Sequence, residues 1–146
     1  SHFAPDALFQ AIDIYRAQFT PSAHHGASHA MAGVNVIVAE TDAEATRLFT
    51  SIQMRFADMF RGARGYLKPP IDDIETYWSP AEKAQASRML ACSFVGAPEK
   101  VRAELQTFLQ STGVDELMVA TAIHDHQARL RSYELLASLG LERRSR

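Results

Sequence analysis

The residues whose side chains could best take part in binding or catalysis lie in one short stretch, which runs from Thr121 to His126. His124 and His126 flank Asp125, an arrangement that suggests a metal site or an acid–base pair. Side chains at i and i+2 diverge unless the backbone is extended, and no third ligand is indicated, so no metal site is predicted. We interpret Asp125 as a helix N-cap. Thr121 and His124 are candidates for the lining of a substrate pocket, and a solvated loop histidine is the alternative interpretation of His124.

A second group of histidines comprises His24, His25 and His29, in a small, polar stretch that is predicted to be a loop. Three histidines in a short loop can bind zinc or nickel adventitiously. A loop that covers a pocket is the preferred interpretation. The adjacent Asp72 and Asp73 suggest paired-carboxylate chemistry, but neighbouring residues on an irregular segment point apart. The catalytic residues are therefore left unassigned.

A third candidate is the Gly96–Pro98 turn, which follows Ser93 and precedes a helix. Backbone N–H groups and the helix dipole make a helix N-terminus attractive to anions. We expect ordinary helix capping here rather than phosphate binding.

Alternating strands and helices are predicted to position these residues. Strands or strand ends, each followed by a helix, are expected at Ser1–Phe3, Val34–Glu40, Cys92–Val95 and Asp115–Ala120. The successive apolar residues of Leu117–Ala120 indicate a strand that is buried on both faces. The helix after it is expected to turn Leu130, Tyr133 and Leu136 inward. The last two strands are joined by a helix, which predicts a parallel pair with a right-handed crossover.

Capping signals mark the ends of several predicted helices. Thr41–Glu44 and Ser79–Glu82 have the spacing of a capping box. Gly113 suits a left-handed C-terminal cap. Apolar residues at helical spacing also predict a helix from about Asp6 to Phe19.

Composition excludes several classes of protein. The chain has 146 residues and a net charge of −2, with no basic stripe, so neither nucleic acid nor a membrane is expected as a partner. No apolar run is long enough to span a bilayer. The single Cys92 excludes an internal disulfide and indicates a reducing, cytoplasmic setting. The last residues, 141–146, are expected to form a disordered basic tail. The chain begins without methionine, which suggests a fragment.

The order and spacing of several motifs resemble the C-terminal end of the bacterial luciferase-like monooxygenases, a family of flavin-dependent barrel enzymes. The matching segments are SHFAP (1–5), VNVIVAETDAEA (34–45), WSPAEKA (78–84), SFVGAPEKV (93–101), GVDELMV (113–119) and HDHQARLRSYELLA (124–137). The resemblance implies an α/β fold in which residues 1–140 form the C-terminal half of a (β/α)8 TIM-type barrel, with about four βα units. A doubly wound open sheet is the alternative, but a glycine-rich dinucleotide loop is missing.

The resemblance also implies a function. A luciferase-like parent enzyme would use reduced FMN, or a deazaflavin relative, and O2 on an organic substrate, with a flavin reductase as a candidate partner. Ser1, His2 and Phe3 align with a strand end that approaches the flavin ring. Because segments that supply much of the flavin phosphate site in this family precede Ser1, the isolated chain is expected to be inactive. The alternative is a non-catalytic module that binds a partner or itself.

Half a barrel would also have two long apolar edges and one uncovered face. We therefore expect an isolated copy to form homo-oligomers or to bind another partner.

Overall fold

The structure is a computed structural model that describes residues 7–141, and within them it is a mixed α/β fold, as predicted. The elements in chain order are α1 (Leu8–Gln18), β1 (Met31–Val38), α2 (Asp42–Phe60), a 3-10 turn (Ile74–Thr76), α3 (Pro80–Met89), β2 (Ser93–Gly96), α4 (Pro98–Thr112), β3 (Glu116–Ala120) and α5 (His126–Ala137). The strand predicted at Ser1–Phe3 and residues 142–146 of the predicted tail lie outside the described residues. Leu141, at the start of that predicted tail, packs against the core.

The predicted caps are present and explain where the helices begin and end. The Thr41 hydroxyl accepts a hydrogen bond from the Glu44 N–H at 3.2 Å. At α3, Ser79 and Glu82 form the full reciprocal capping box. Gly113 ends α4 in the left-handed conformation at φ 59°, where a side chain would be strained. Local sequence therefore fixes these boundaries.

The three strands are parallel and lie in the order β2–β1–β3. Residues Asn35–Val38 of β1 pair with β2, and residues Met31–Asn35 pair with β3. The predicted direct pairing of the last two strands is wrong, because both pair with β1 instead. The crossover through α4 therefore passes over β1, a choice of neighbour that depends on the whole sheet rather than on local sequence.

The two faces of the sheet are covered differently. The face that carries Val34, Val36 and Val38 packs beneath apolar residues of α1, α4 and α5. On the opposite face, Ile37 and Ala39 pack against α2 and against Ile123, near the carboxyl ends of the strands. Side chains alternate between the two faces of a strand, so β1 contributes to both layers.

The amino-terminal half of the second face is open. Met31 is 51 % exposed and Met118 is 60 % exposed. The prediction that β3 is buried on both faces is therefore wrong, since only the side of Leu117 and Val119 packs into the core. Four apolar residues in succession indicate a strand but do not show which face is covered.

The predicted inward face of α5 is wrong in part. Leu130 and Tyr133 are 43 % and 40 % exposed, whereas Ser132 and Leu135 are buried. The buried side of α5 is therefore offset from the predicted one, and it includes Ser132, which accepts a buried hydrogen bond from β1. A hydrophobic count alone ranks Ser132 as a surface residue.

A separate apolar cluster joins α2 to α3. Phe56, Trp78 and Leu90 are among its buried members. No helix within residues 7–141 has both the length and the apolar character that crossing a bilayer requires.

Candidate functional site at the carboxyl edge of the sheet

The carboxyl ends of the strands bring three connecting segments together. These are the turn from β1 to α2, the turn from β2 to α4, and the stretch from Thr121 to Asp125 that follows β3. In α/β sheets and barrels this edge is where ligands bind. We therefore take it as the candidate functional site and describe its side chains in turn.

Thr121 is buried, and its side chain bonds to the backbone of β1. Its side chain oxygen Oγ1 donates to the Val36 carbonyl oxygen at 2.9 Å. The neighbouring Val38 N–H donates to Oγ of Ser132, also at 2.9 Å and also buried. Strand β3 stops pairing at Asn35, so these two hydroxyls satisfy the edge of β1 beyond the end of β3. The two hydroxyls thus stabilise the carboxyl end of β1, beneath the candidate site.

The start of α4 is already occupied by a protein carboxylate. Oδ1 of Asp42, the first residue of α2, accepts from the Ala97 N–H at 2.7 Å. Gly96 permits this approach, because a Cβ there would lie 2.6 Å from Asp42 Oδ1 and 2.7 Å from Cδ of Lys100. Ala97 is the N-cap of α4 and makes no side-chain capping bond, so the carboxylate of Asp42, bonded to the Ala97 N–H, is the anionic group at this helix start.

His124 is exposed at this edge, next to Ile123, which is only 1 % exposed. Asp125 caps α5, since its Oδ1 accepts from the Ala128 N–H at 2.8 Å, as predicted. His126 Nδ1 lies 2.8 Å from Nη2 of Arg129 rather than beside His124. The described residues contain no group of three or more His, Cys, Asp or Glu side chains that could hold a metal ion.

An ion pair closes the outer side of the edge. Arg131 on α5 donates through Nη2 to Oε1 of Glu40 at 2.6 Å, and through Nη1 to Oε2 of Glu134 at 3.2 Å. These bonds, led by the one to Glu40, raise the pKa of the guanidinium. Glu40 directly precedes the turn into α2, so this pair ties the end of β1 to α5.

The histidine loop lies at the other end of the sheet. His29 Nε2 is 3.6 Å from Oε1 of Glu116, where β1 and β3 begin. The His25 N–H donates to Oγ of Ser22 at 3.2 Å, a bond within the loop. The loop prediction is confirmed, but the part beside His29 does not cover the carboxyl edge.

The densest charged cluster was missed by sequence reasoning, and it lies at the far end of α2. Oδ1 of Asp58 accepts from the Tyr77 hydroxyl at 2.6 Å, and its Oδ2 lies 2.8 Å from Nζ of Lys68. Burial acts to raise the pKa of Asp58, but the bonds from Lys68 and Tyr77 hold it below its ordinary value. Nε of Arg61 lies 2.6 Å from Oε1 of Glu82, and this bond is the main cause that lowers the pKa of the Glu82 carboxyl to about 2.

No local pattern in the sequence predicts this cluster, because its members are separated by the irregular segment between α2 and α3. Cys92 is a buried free thiol whose pKa is raised by burial.

Comparison with known proteins shows which proteins this chain resembles. No family model matches the chain. A protein of Escherichia coli K12 named luciferase-like monooxygenase is 47 % identical over 135 residues, which are 92 % of this chain and 40 % of that protein. The uncharacterized protein YvbT of Bacillus subtilis is 41 % identical over 139 residues, 95 % of this chain and 41 % of YvbT. Over the matched stretch, the chain is homologous to a luciferase-like monooxygenase.

A solved structure supports the fold. The crystal structure of apo-MsnO8 superposes with a TM-score of 0.75 and 32 % identity, covering 98 % of this chain and 44 % of that one. The chain thus spans about two fifths of the length of these relatives. This share matches the predicted C-terminal half of a luciferase-like barrel.

The similarity to a luciferase-like monooxygenase draws attention to the carboxyl edge. Thr121 and His124 are both at that edge, one buried beneath it and one exposed on it. The predicted flavin contacts Ser1, His2 and Phe3 lie outside the described residues. Ser132 was not predicted, although a hydroxyl on a helix stripe that also carries Leu135 and Leu139 is a usable signal, because a buried hydroxyl needs a partner.

Proposed function

We propose that this chain forms part of the active-site wall of a flavin-dependent monooxygenase that uses reduced FMN and O2 on an organic substrate. The observation that carries the proposal is the 47 % identity over 92 % of the chain to the E. coli luciferase-like monooxygenase. Reduced flavin, when bound, would supply the reaction with O2, and the protein would supply binding, orientation and exclusion of water. A separate flavin reductase is the proposed source of reduced flavin.

The described residues do not by themselves fit the phosphate of FMN. The N–H of Ala97, at the start of α4, is taken by Asp42. The Arg131 guanidinium is engaged by Glu40 and Glu134. The FMN phosphate would therefore be bound by residues outside 7–141. We retain Ser1, His2 and Phe3 as proposed contacts to the flavin ring.

The described residues support a narrower role at the pocket wall. Thr121 fixes the end of β3 through its bond to Val36, and the buried Ile123 anchors the next turn. His124 is then left exposed on a segment that is held at both sides, since Asp125 caps α5. An imidazole on a fixed segment is suited to contact a substrate or to shield it from water.

A chimera tests this proposal. The stretch of the E. coli luciferase-like monooxygenase that matches this chain would be replaced by this chain, and reduced FMN would be titrated under anaerobic conditions. We expect saturable FMN binding and flavin-dependent O2 consumption. A folded chimera that binds neither FMN nor a reduced deazaflavin, while the intact E. coli protein does bind one of them, would disprove the enzyme assignment.

Single substitutions in the chimera test the wall residues. His124→Ala is expected to lower the rate of flavin-dependent O2 consumption without loss of folding, because His124 is exposed. His25→Ala is the matched control, since it removes an exposed imidazole from the loop that leads to the opposite end of the sheet. Equal rates for both variants would remove His124 from the proposed site.

A second candidate function is a non-catalytic module that associates with itself. The exposed pair Met31 and Met118 favours it, because apolar side chains on an open sheet face seek a partner. Under this alternative the chain forms a homo-oligomer and binds no flavin.

A further inference from the structure

The amino-terminal end of the sheet carries two thioether side chains on one face. In the register of the sheet Met31 pairs with Glu116, and Gly33 pairs with Met118. Residues two apart on a strand lie on the same side, so Met31, Glu116 and Met118 share the second face of the sheet. Met31 is 51 % exposed and Met118 is 60 % exposed, so both side chains are accessible from solvent.

The spacing of the strands puts these two methionines within reach of one ion. Neighbouring strands lie about 4.8 Å apart and each residue advances a strand by about 3.3 Å, which separates the two Cα atoms by about 8 Å. Gly33, the residue opposite Met118, adds no side chain between them. A methionine side chain is unbranched and has three rotatable bonds, so each can turn its sulfur toward a shared ligand.

An imidazole and a carboxylate lie beside the two methionines. His29 is two residues before Met31, and its Nε2 is 3.6 Å from Oε1 of Glu116. This distance is too long for a hydrogen bond. It is close to the separation of about 3.3 Å between two nitrogen or oxygen ligands of one tetrahedral ion. The backbone of His29 is held in place, because its N–H donates to the Tyr15 hydroxyl at 3.2 Å.

We propose that Met31, Met118 and His29 bind one monovalent copper ion, with the carboxylate of Glu116 beside it. Thioether sulfurs are soft ligands that select Cu(I), and imidazole also suits copper. The single carboxylate balances the single positive charge of the ion. Zinc is not favoured, because its protein ligands are thiolates, imidazoles and carboxylates rather than thioethers. Neither flavin binding nor the similarity to luciferase-like proteins enters this inference.

Titration with Ag(I) tests the proposal on the chain as it stands, because Ag(I) has the charge and ligand preferences of Cu(I) and is not oxidised by air. The five methionine methyl groups would be labelled with carbon-13 and followed by NMR. We expect the signals of Met31 and Met118 to shift together and to stop changing at one equivalent of Ag(I). Met59 on α2 is the internal control, since it is 47 % exposed and its signal should stay in place. Equal shifts of all three signals, or no shift of any, would overturn the proposal.

Substitutions measure what each ligand contributes to the affinity for Cu(I). Met118→Leu keeps an apolar side chain of similar size but removes the sulfur, and His29→Gln removes the imidazole. Each is expected to weaken Cu(I) binding by about tenfold or more, measured by anaerobic competition with the chelator bicinchoninate. Met59→Leu is the matched control and should leave the affinity unchanged. If Met118→Leu binds Cu(I) as tightly as the native protein, thioether ligation is disproved.

Two further measurements separate this site from other ligands of the chain. The Cys92 thiol binds Cu(I) when it is exposed, but it is buried in the fold, so Cys92→Ala is expected to retain the affinity for Cu(I). Binding that Cys92→Ala abolishes and Met118→Leu does not change would assign the ion to the thiol, and the proposal would fail. Zn(II) binding that is tighter than Cu(I) binding and insensitive to Met118→Leu would also overturn it, because His29 and Glu116 would then form the site alone.

Discussion

The carboxyl edge of the sheet and the far end of helix α2 are held by different means. At the carboxyl edge, two buried bonds between hydroxyl and backbone groups, Thr121 to Val36 and Val38 to Ser132, accompany the exposed ion pair of Arg131 with Glu40. At the far end of α2 the contacts are ionic, and they pair the exposed cations Lys68 and Arg61 with the half-buried carboxylates Asp58 and Glu82. The far end of α2 therefore depends on clustered charges, whereas the candidate site rests on buried neutral bonds.

The largest expected effect comes from the buried bonds. Ser132→Ala removes the acceptor for the buried Val38 N–H and should lower the free energy of unfolding by about 1–3 kcal/mol. Urea denaturation of the two proteins would measure it. Ser138→Ala is the control, because Ser138 is exposed and its change should stay within about 0.5 kcal/mol. Equal losses in both variants would mean that the buried bond makes no measurable contribution to the free energy of unfolding.

A smaller loss is expected from crowding at the start of α4. Gly96→Ala puts a Cβ 2.6 Å from Asp42 Oδ1, so the carboxylate must leave the Ala97 N–H. We expect a loss of about 1–2 kcal/mol in unfolding free energy. In an Asp42→Ala background the same glycine change should cost less, because the clash with Asp42 is gone and only the flexible Lys100 side chain remains in the way. Strict additivity in this double-mutant cycle would rule out the clash as the cause.

The ionic end should respond to salt where the buried bonds of the carboxyl edge do not. Asp58→Ala removes the acceptor of Lys68 and Tyr77 and is expected to cost about 1 kcal/mol at low ionic strength. The loss should shrink in about 1 M NaCl, because salt screens exposed charges. The loss from Ser132→Ala should not change with salt. Asp13→Ala on α1 controls for the removal of an exposed carboxylate.

The smallest effect is a dependence on acid. Arg61 depresses the pKa of Glu82 from an ordinary 4.5 to about 2 in the folded state. The stabilisation is therefore complete above pH ~4.5 and is lost as the pH falls through about 2. The free energy of unfolding of Glu82→Gln should be lower than that of the native protein at neutral pH, and the two values should converge in acid. If the two proteins instead differ by the same amount at every pH, the assignment is contradicted. Glu99→Gln on α4 is the control for the removal of a carboxylate elsewhere.

Local features were predictable from the sequence because their causes are local. Thr41, Ser79 with Glu82, and Asp125 cap the helices at the positions that their spacing indicates. Strand β1 begins at Met31, three residues before the predicted start, because its pairing with β3 extends that far. The extension depends on a strand more than eighty residues away, which no local pattern contains.

The errors share a physical origin. Leu130, Tyr133 and Met118 are apolar but exposed, and Ser132 is polar but buried. Apolar periodicity predicts that a helix or strand has a buried side, but partners distant in sequence decide which side it is. At the candidate site, His124 was predicted from its position after a strand, whereas the supporting bond between Ser132 and Val38 required the folded sheet.

The single thiol gives this chain a built-in reporter of motion. Cys92 is buried directly before β2, and burial raises its pKa, so alkylation must wait for the thiol to become exposed. The rate of labelling by iodoacetamide therefore measures how often the edge that carries β2 opens in the native state. One cysteine makes this signal unambiguous, without any engineered label.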